Sequence, residues 1–201
     1  QLEFLSLSAN PLESIDAELF SKLASLKELH LEELPGVTQL EPGTFPQSLE
    51  NLYLSNSVFL NNTPGGLFKG LTKLQLLYME NAQLSSLSDA EGGLLFEDDL
   101  GELKVLSLSL NPGLVNAISA NSFEALKKLN SLFLESVGLS RLEADTFSGL
   151  DQLERLVLSG NALSSLDADS FKHLANLKEL FLDNNQLKAV EAGWFESTSL
   201  S

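Results

Sequence analysis

Residues Leu153–Leu177 read L-E-R-L-V-L-S-G-N-A-L-S-S-L-D-A-D-S-F-K-H-L-A-N-L. Leu153, Leu156 and Leu158 are followed by Asn161, Leu163, Leu166, Phe171 and Leu174, and Leu177 restarts the phrase 24 residues on. In an extended chain Leu156 and Leu158 point to one side and Val157 and Ser159 to the other. An asparagine directly after such a segment turns the chain, its side-chain amide serving backbone groups that the turn leaves unpaired. The later F-x-x-L closes the apolar side from behind. A unit this small cannot bury its own leucines, so it requires neighbours of the same kind.

The rest of the chain supplies them. The phrase starts at Leu2, Leu26, Leu49, Leu74, Leu103, Leu129, Leu153 and Leu177, with spacings of 24, 23, 25, 29, 26, 24 and 24 residues. Short strands are predicted near residues 4–8, 28–32, 51–55, 76–80, 105–109, 131–135, 155–159 and 179–183. Stacked in parallel at about 4.8 Å per step, eight of them make a sheet roughly 35–40 Å long, expected to be concave. Phe20, Phe45, Phe68, Phe96, Phe123, Phe147, Phe171 and Phe195 occupy one recurring post, which accounts for 12 Phe against 1 Trp and 2 Tyr. Short helical turns are expected at D-A-E-L-F, E-A-D-T-F and D-A-D-S-F, with Asp16, Asp145 and Asp167 or Asp169 at their positive ends.

The irregularities are as informative. The turn column reads Asn10, Leu34, Ser57, Ala82, Asn111, Val137, Asn161 and Asn185, while Asn56 and Asn81 stand one residue early, as if those turns were rebuilt. Pro35, Pro42 and Pro46 predict an extended outer side in the second repeat. The third repeat carries F-L-N-N-T-P-G-G and the fourth a long segment between Leu87 and Leu103. Both read as surface insertions, open to use as binding loops. Repeats one and five share L-S-L-S-x-N-P, two and six L-E-x-x-T-F, three and seven F-K-x-L. That pattern points to duplication of a four-repeat block.

The phrase resembles the typical leucine-rich repeat of about 24 residues with an F-x-x-L ending, the class of Toll-like receptors, Slit proteins and small proteoglycans. The resemblance covers essentially residues 1–201 and implies a single domain: an α/β solenoid shaped as a horseshoe, parallel strands inside, irregular turns and short helices outside. It implies a non-enzymatic recognition module, a receptor ectodomain or secreted protein, at the cell surface or outside the cell. The cysteine-rich caps common in extracellular members are not among these residues, so the caps are expected to lie outside them or to be of another kind.

Bulk properties narrow the function further. Net charge is −16, from 28 acids and 12 bases. Such a surface repels phosphate backbones, so no nucleic-acid partner is expected, and it favours cationic partners. There is no cysteine, hence no disulfide or thiolate chemistry. No signal peptide and no apolar run of about 18 residues is found, and the chain begins inside a repeat, so it reads as a mature domain or a fragment without membrane insertion. His30 and His173 fall about six repeats apart and cannot share a site. Without a Ser-His-Asp arrangement, a phosphate loop or H-E-x-x-H, enzyme activity and cofactors are not expected. Glu97, Asp98 and Asp99 form the sharpest acid cluster but lack calcium-loop spacing. Asn61-Asn62-Thr63 is a glycosylation sequon with Asn61 as acceptor, relevant on a secretory route.

The strands' outward positions carry the candidate binding residues. Their central column reads Ser6, His30, Tyr53, Tyr78, Ser107, Phe133, Val157 and Phe181. Aromatics exposed in a row suit a protein surface, or else lateral packing between strands. Two residues on, Ser8, Glu32, Ser55, Glu80, Ser109, Glu135, Ser159 and Asp183 alternate serine with acid without exception. With Arg155 interrupting the acids, the expected site comprises His30, Glu32, Tyr53, Tyr78, Glu80, Phe133, Glu135, Arg155, Phe181 and Asp183. The expected partner is a protein or peptide of basic character. The alternative is a structural or adhesive surface protein that packs against its own copies.

Overall fold

A computed structural model describes residues 1–62, 65–88, 95–195 and Thr198. It is a parallel eight-stranded sheet whose strand order equals chain order. The strands are β1 Phe4–Ser6, β2 Glu28–His30, β3 Asn51–Tyr53, β4 Leu76–Tyr78, β5 Val105–Ser107, β6 Ser131–Phe133, β7 Arg155–Val157 and β8 Glu179–Phe181. Each central leucine is level with the next, Leu5 with Leu29 through to Leu156 with Leu180. The variable repeat length is therefore absorbed outside the sheet, and register never slips.

Each strand has three residues rather than the expected five. The cause is a left-handed residue that follows every strand at the same post. Ala9, Glu33, Asn56, Asn81, Leu110, Ser136, Gly160 and Asn184 all have φ between 47° and 69°. The ladder nevertheless runs on into this turn, since Leu7 N–H donates to the His30 carbonyl and Ala9 N–H to that of Glu32. The same pair of bonds recurs from repeat to repeat, ending with Leu158 N–H to Phe181 and Gly160 N–H to Asp183. Asn56 and Asn81 are thus not displaced turn asparagines. They occupy the left-handed post, whose strain asparagine tolerates better than most residues.

Behind the sheet lies a continuous apolar core. Leu29, Leu52, Leu77, Leu106, Leu132 and Leu156 are fully buried, as are Phe20, Phe123 and Phe171. Successive Phe rings run nearly parallel, with centroids 6.2 Å apart for Phe45–Phe68 and 6.4 Å for Phe147–Phe171. Phe195 is the exception: it is only partly buried, and Trp194 beside it takes the interior place. In the third repeat Phe59 and Leu60, read from sequence as part of a surface insertion, are buried in a 3₁₀ turn, Val58–Asn62.

Among the described residues the outer side has one short α-helix, α1 Ala17–Ser21, capped by the Asp16 carboxylate, which accepts the Glu18 N–H. A 3₁₀ turn at Ala168–Phe171 is held by Asp167 and Ser170 in a reciprocal capping box. At E-A-D-T-F the expected helix is absent. Thr146 Oγ1 accepts the Glu143 N–H there, and Asp145 turns away to His173 and Lys172. Across the second repeat's prolines the outer chain is not extended as expected: it turns at Pro35–Gly36 and at Pro42–Gly43, where the Leu34 and Glu41 carbonyls accept the Val37 and Thr44 N–H groups, because proline's fixed φ also suits the first corner of a tight turn; Val37 and Leu40 are buried.

Candidate interaction face

The face of the sheet opposite the leucine core carries two columns in register. The first strand positions are Phe4, Glu28, Asn51, Leu76, Val105, Ser131, Arg155 and Glu179, and the third positions are the aromatic-rich column anticipated above. Pairing in a parallel sheet brings equivalent side chains within about 4.8 Å of one another, so each column packs along its length.

At one end three rings stack and a fourth, Phe4, leans on them at a tilt of 49°. Phe4 lies 5.3 Å from His30, His30 is stacked on Tyr53 at 4.1 Å, and Tyr53 on Tyr78 at 5.4 Å with planes 10° apart. His30 Nε2 is 2.9 Å from Glu28 Oε1, and Nδ1 is 3.0 Å from Glu32 Oε2. A carboxylate only accepts, so both contacts are hydrogen bonds when both ring nitrogens carry protons. The bond to His30 holds the Glu28 carboxyl below its ordinary range, with Asn51 donating to the other oxygen. Burial in the stack pushes the Tyr53 hydroxyl up, aided by the negative charge of Glu28.

The other end is built around a cation. The Arg155 guanidinium carbon sits 4.7 Å from the Phe181 ring centre and 5.9 Å from that of Phe133, and Nη1 donates to Glu179 Oε2 at 2.6 Å. It covers Val157, which is 8% exposed. Arginine stacks well on aromatic faces because its planar guanidinium is weakly hydrated. Its buried Nε has no hydrogen-bond partner among the described residues.

The serine–acid column proves to be a set of contacts between strands. Glu32 N–H donates to Ser8 Oγ, Glu80 N–H to Ser55 Oγ and Glu135 N–H to Ser109 Oγ, at 3.1–3.2 Å. Ser159 Oγ–H donates to Asp183 Oδ1 at 2.6 Å. The alternation thus has a structural cause: a serine in each odd repeat accepts an amide, or donates to the carboxylate, of the even repeat beside it. The acids still face outward, with Glu135 and Asp183 exposed and Glu32 and Glu80 half-buried.

Of the residues expected on this face, His30, Tyr53 and Tyr78 are brought together, as are Phe133, Arg155 and Phe181. Ser107, fully buried, separates the two groups. Sequence reasoning missed Phe4, which is 54% exposed and belongs to the first stack. It stands two residues before Ser6, on the same face, and that spacing was its available signal. His173, expected away from His30, lies on the outer side and meets Asp145 Oδ1 at 2.9 Å. Together with Lys172 this lowers the Asp145 carboxyl.

Elsewhere, Asp99 Oδ2 accepts the Gly70 N–H at 2.8 Å, in a shallow groove shared with Pro42, Gln47, Lys69 and Glu97. The Asp98 side chain, the acceptor Asn61 side chain and Thr63 of its sequon, and the middle of the fourth repeat's insertion lie outside the described residues. Among the described residues no three potential metal ligands are gathered, and no helix is long and apolar enough to cross a membrane.

Comparison with known proteins adds family context to this geometry. A family model described as Leucine rich repeat matches residues 129–187 and 152–200, and one described as BspA type Leucine rich repeat region (6 copies) matches 1–90. Lumican from Gallus gallus is 36% identical over 114 residues, 55% of this chain and 31% of that protein. Tsukushi from Rattus norvegicus is 37% identical over 90 residues, 44% of this chain and 26% of that protein. The chain therefore spans about a third or less of these relatives. A chain of the Drosophila Toll–Spatzle complex superposes over 98% of this one and 30% of its own length, with a TM-score of 0.70 at 22% identity. A chain of the TLR13–ssRNA13 complex superposes over 97% and 35%, with a TM-score of 0.65 at 26% identity.

Proposed function

The chain belongs to the leucine-rich-repeat family, and from that premise we propose that it is a non-enzymatic recognition module that binds a protein or peptide through the free face of its sheet. The observation that carries this reading is the pair of half-exposed aromatic groups, Phe4–His30–Tyr53–Tyr78 and Phe133–Arg155–Phe181, set among Glu32, Glu80, Glu135 and Asp183. Aromatic rings held rigid by stacking offer large contact area at little entropic cost, the property of residues that dominate protein interfaces. Carboxylates around them favour a basic partner and speed its arrival. A protein of the same fold is solved with single-stranded RNA. The acid row is what favours protein over nucleic acid here, since it repels phosphates. An extracellular or cell-surface setting fits the resemblance to lumican and Tsukushi.

The test is to replace Tyr53, Tyr78 and Phe133 by alanine together and measure affinity for a partner captured by the unmodified chain. Loss of at least about tenfold is expected, since interface aromatics each contribute about 2 kcal/mol or more. Unchanged affinity with an intact fold would exclude this face.

A further inference from the structure

Two acids of the first ring group share one base. Glu28 and Glu32 stand two residues before and after His30, so all three side chains lie on the free face. The imidazole spans the distance between the acids, with Nε2 2.9 Å from Glu28 Oε1 and Nδ1 3.0 Å from Glu32 Oε2. Further along the sheet, Glu80 Oε1 accepts the Ser107 hydroxyl at 2.6 Å, and Asp183 Oδ1 accepts that of Ser159. A serine keeps its proton at any ordinary pH, whereas an imidazole gains and loses one between about pH 5 and 8.

A neutral imidazole carries one N–H and one lone pair. Between two carboxylates it can donate to one, and its lone pair then points at the other, which is repelled. Both carboxylates are partly exposed, so either has solvent to move into. Each also keeps a second donor, Asn51 Nδ2 for Glu28 and the Ser8 hydroxyl for Glu32, about which it can pivot. The other neighbours of His30 do not change charge over this range. Phe4 and Ser8 on one side and Asn51 on the other are uncharged, and burial pushes the Tyr53 hydroxyl up, so it stays protonated. The Glu28 carboxyl is depressed chiefly by its bond to His30. Its contact is therefore present above the ordinary carboxyl range and is lost only as pH falls through the depressed value. The two-sided grip of His30 thus belongs to weakly acidic water, bounded below by the carboxyls and above by the imidazole.

We propose that His30 is a proton-operated clasp: protonated, it holds Glu28 and Glu32 together with Phe4 and Tyr53 against its ring, and on losing a proton it releases one carboxylate to solvent and loosens the ring group. Two carboxylates and one imidazolium leave one net negative charge at this end of the face, and the neutral ring leaves two. The clasp is a property of the chain alone and stands whether or not the face binds protein. On a face that does take a basic partner, it would strengthen the pull on that partner as the imidazole proton leaves.

The test is NMR of the 201-residue chain across about pH 5.5 to 8.5, following the His30 ring, the Glu28 and Glu32 carboxyl carbons and the Phe4 and Tyr53 rings together. Ring-to-ring cross-peaks from His30 to Phe4 and Tyr53 should weaken as His30 loses its proton, and one of the two carboxyl signals should move with them. The buried Phe96–Phe123 pair should not respond, and the titration of His173, which meets Asp145 on the outer side, should leave the Phe4 and Tyr53 rings unmoved. Glu28→Gln and Glu32→Gln supply the sharper comparison. An amide accepts from a ring N–H and donates to a ring lone pair, so either variant keeps both contacts in both protonation states. The cross-peaks should then hold steady over the whole range. Ring contacts and carboxyl signals that stay fixed while the His30 ring titrates would overturn the proposal. So would a His30 ring that keeps one protonation state throughout, or a response undiminished in both variants.

Discussion

Leu110 has φ of 61°, a conformation that costs a residue with a Cβ about 1–2 kcal/mol. Its amide must nonetheless reach the Glu135 carbonyl, at 2.8 Å, to continue the ladder between repeats. Glycine adopts this angle freely but loses about 0.5–1 kcal/mol through its looser unfolded chain. Leu110 is 49% exposed, so little packing is lost with it. Leu110→Gly is therefore expected to raise stability by about 0.5–1 kcal/mol, read as a gain of a few degrees in thermal melting. At the equivalent Gly160 the reverse holds, because an added Cβ would stand 2.5 Å from Ser136 Oγ. Gly160→Ala should lower the melting temperature. A common direction for both variants would contradict the strain argument. This post was only half legible in the sequence. Gly160, Asn56, Asn81 and Asn184 carry the left-handed signature, but Ala9, Glu33 and Leu110 do not, and the ladder rather than the residue imposes the angle on them.

Between elements, the turn asparagines act as staples. Asn111 Nδ2 donates to the carbonyls of Met79, Leu108 and Ser109, and its Oδ1 accepts the N–H groups of Ala82 and Leu84 in the preceding repeat. Asn161 repeats the pattern, reaching Leu134 behind it and receiving Val137 and Leu139. A repeat whose own post is Ala82 or Val137 thus borrows the next repeat's asparagine, while behind Leu34 it is the Ser57 hydroxyl that reaches back, donating to the Leu31 carbonyl. Asn10 makes only two bonds, within its own exposed turn. Buried polar groups left without partners cost about 1–3 kcal/mol each. Asn111→Ala is expected to lower unfolding free energy by roughly 3 kcal/mol or more, and Asn10→Ala by less than about 1 kcal/mol. Urea denaturation of the two variants decides it, and equal losses would remove the stapling role. The repeat phrase announced strands, order and core because leucine spacing dictates them directly. The pairing of Ser107 with Glu80 and the lodging of Arg155 between Phe133 and Phe181 were not legible, since they depend on side chains from different repeats meeting in register.

At the scale of the whole molecule, charge sets folding and binding against each other. The chain carries −16 on a sheet roughly 35 Å long. At about 10 mM salt the screening length is about 30 Å, so acids at opposite ends of the sheet still repel; at 150 mM it falls to about 8 Å and that repulsion fades. Salt also weakens attractive pairs such as Lys128–Glu102 at 2.6 Å and Lys178–Glu154 at 2.8 Å, the latter holding the Glu154 carboxyl below its usual range. Those pairs are largely exposed, and exposed pairs contribute little to stability. Relief of the many unpaired acids should therefore prevail, and melting temperature is expected to rise between 10 and 150 mM sodium chloride. Docking of a basic partner on the acidic face draws on the same field, with attraction in place of repulsion, so its affinity should fall over that interval. Melting curves and partner titrations at both salt concentrations give the two signs. If melting temperature falls as well, local pairs outweigh net repulsion, and the acids are better matched across the repeats than their excess over bases implies.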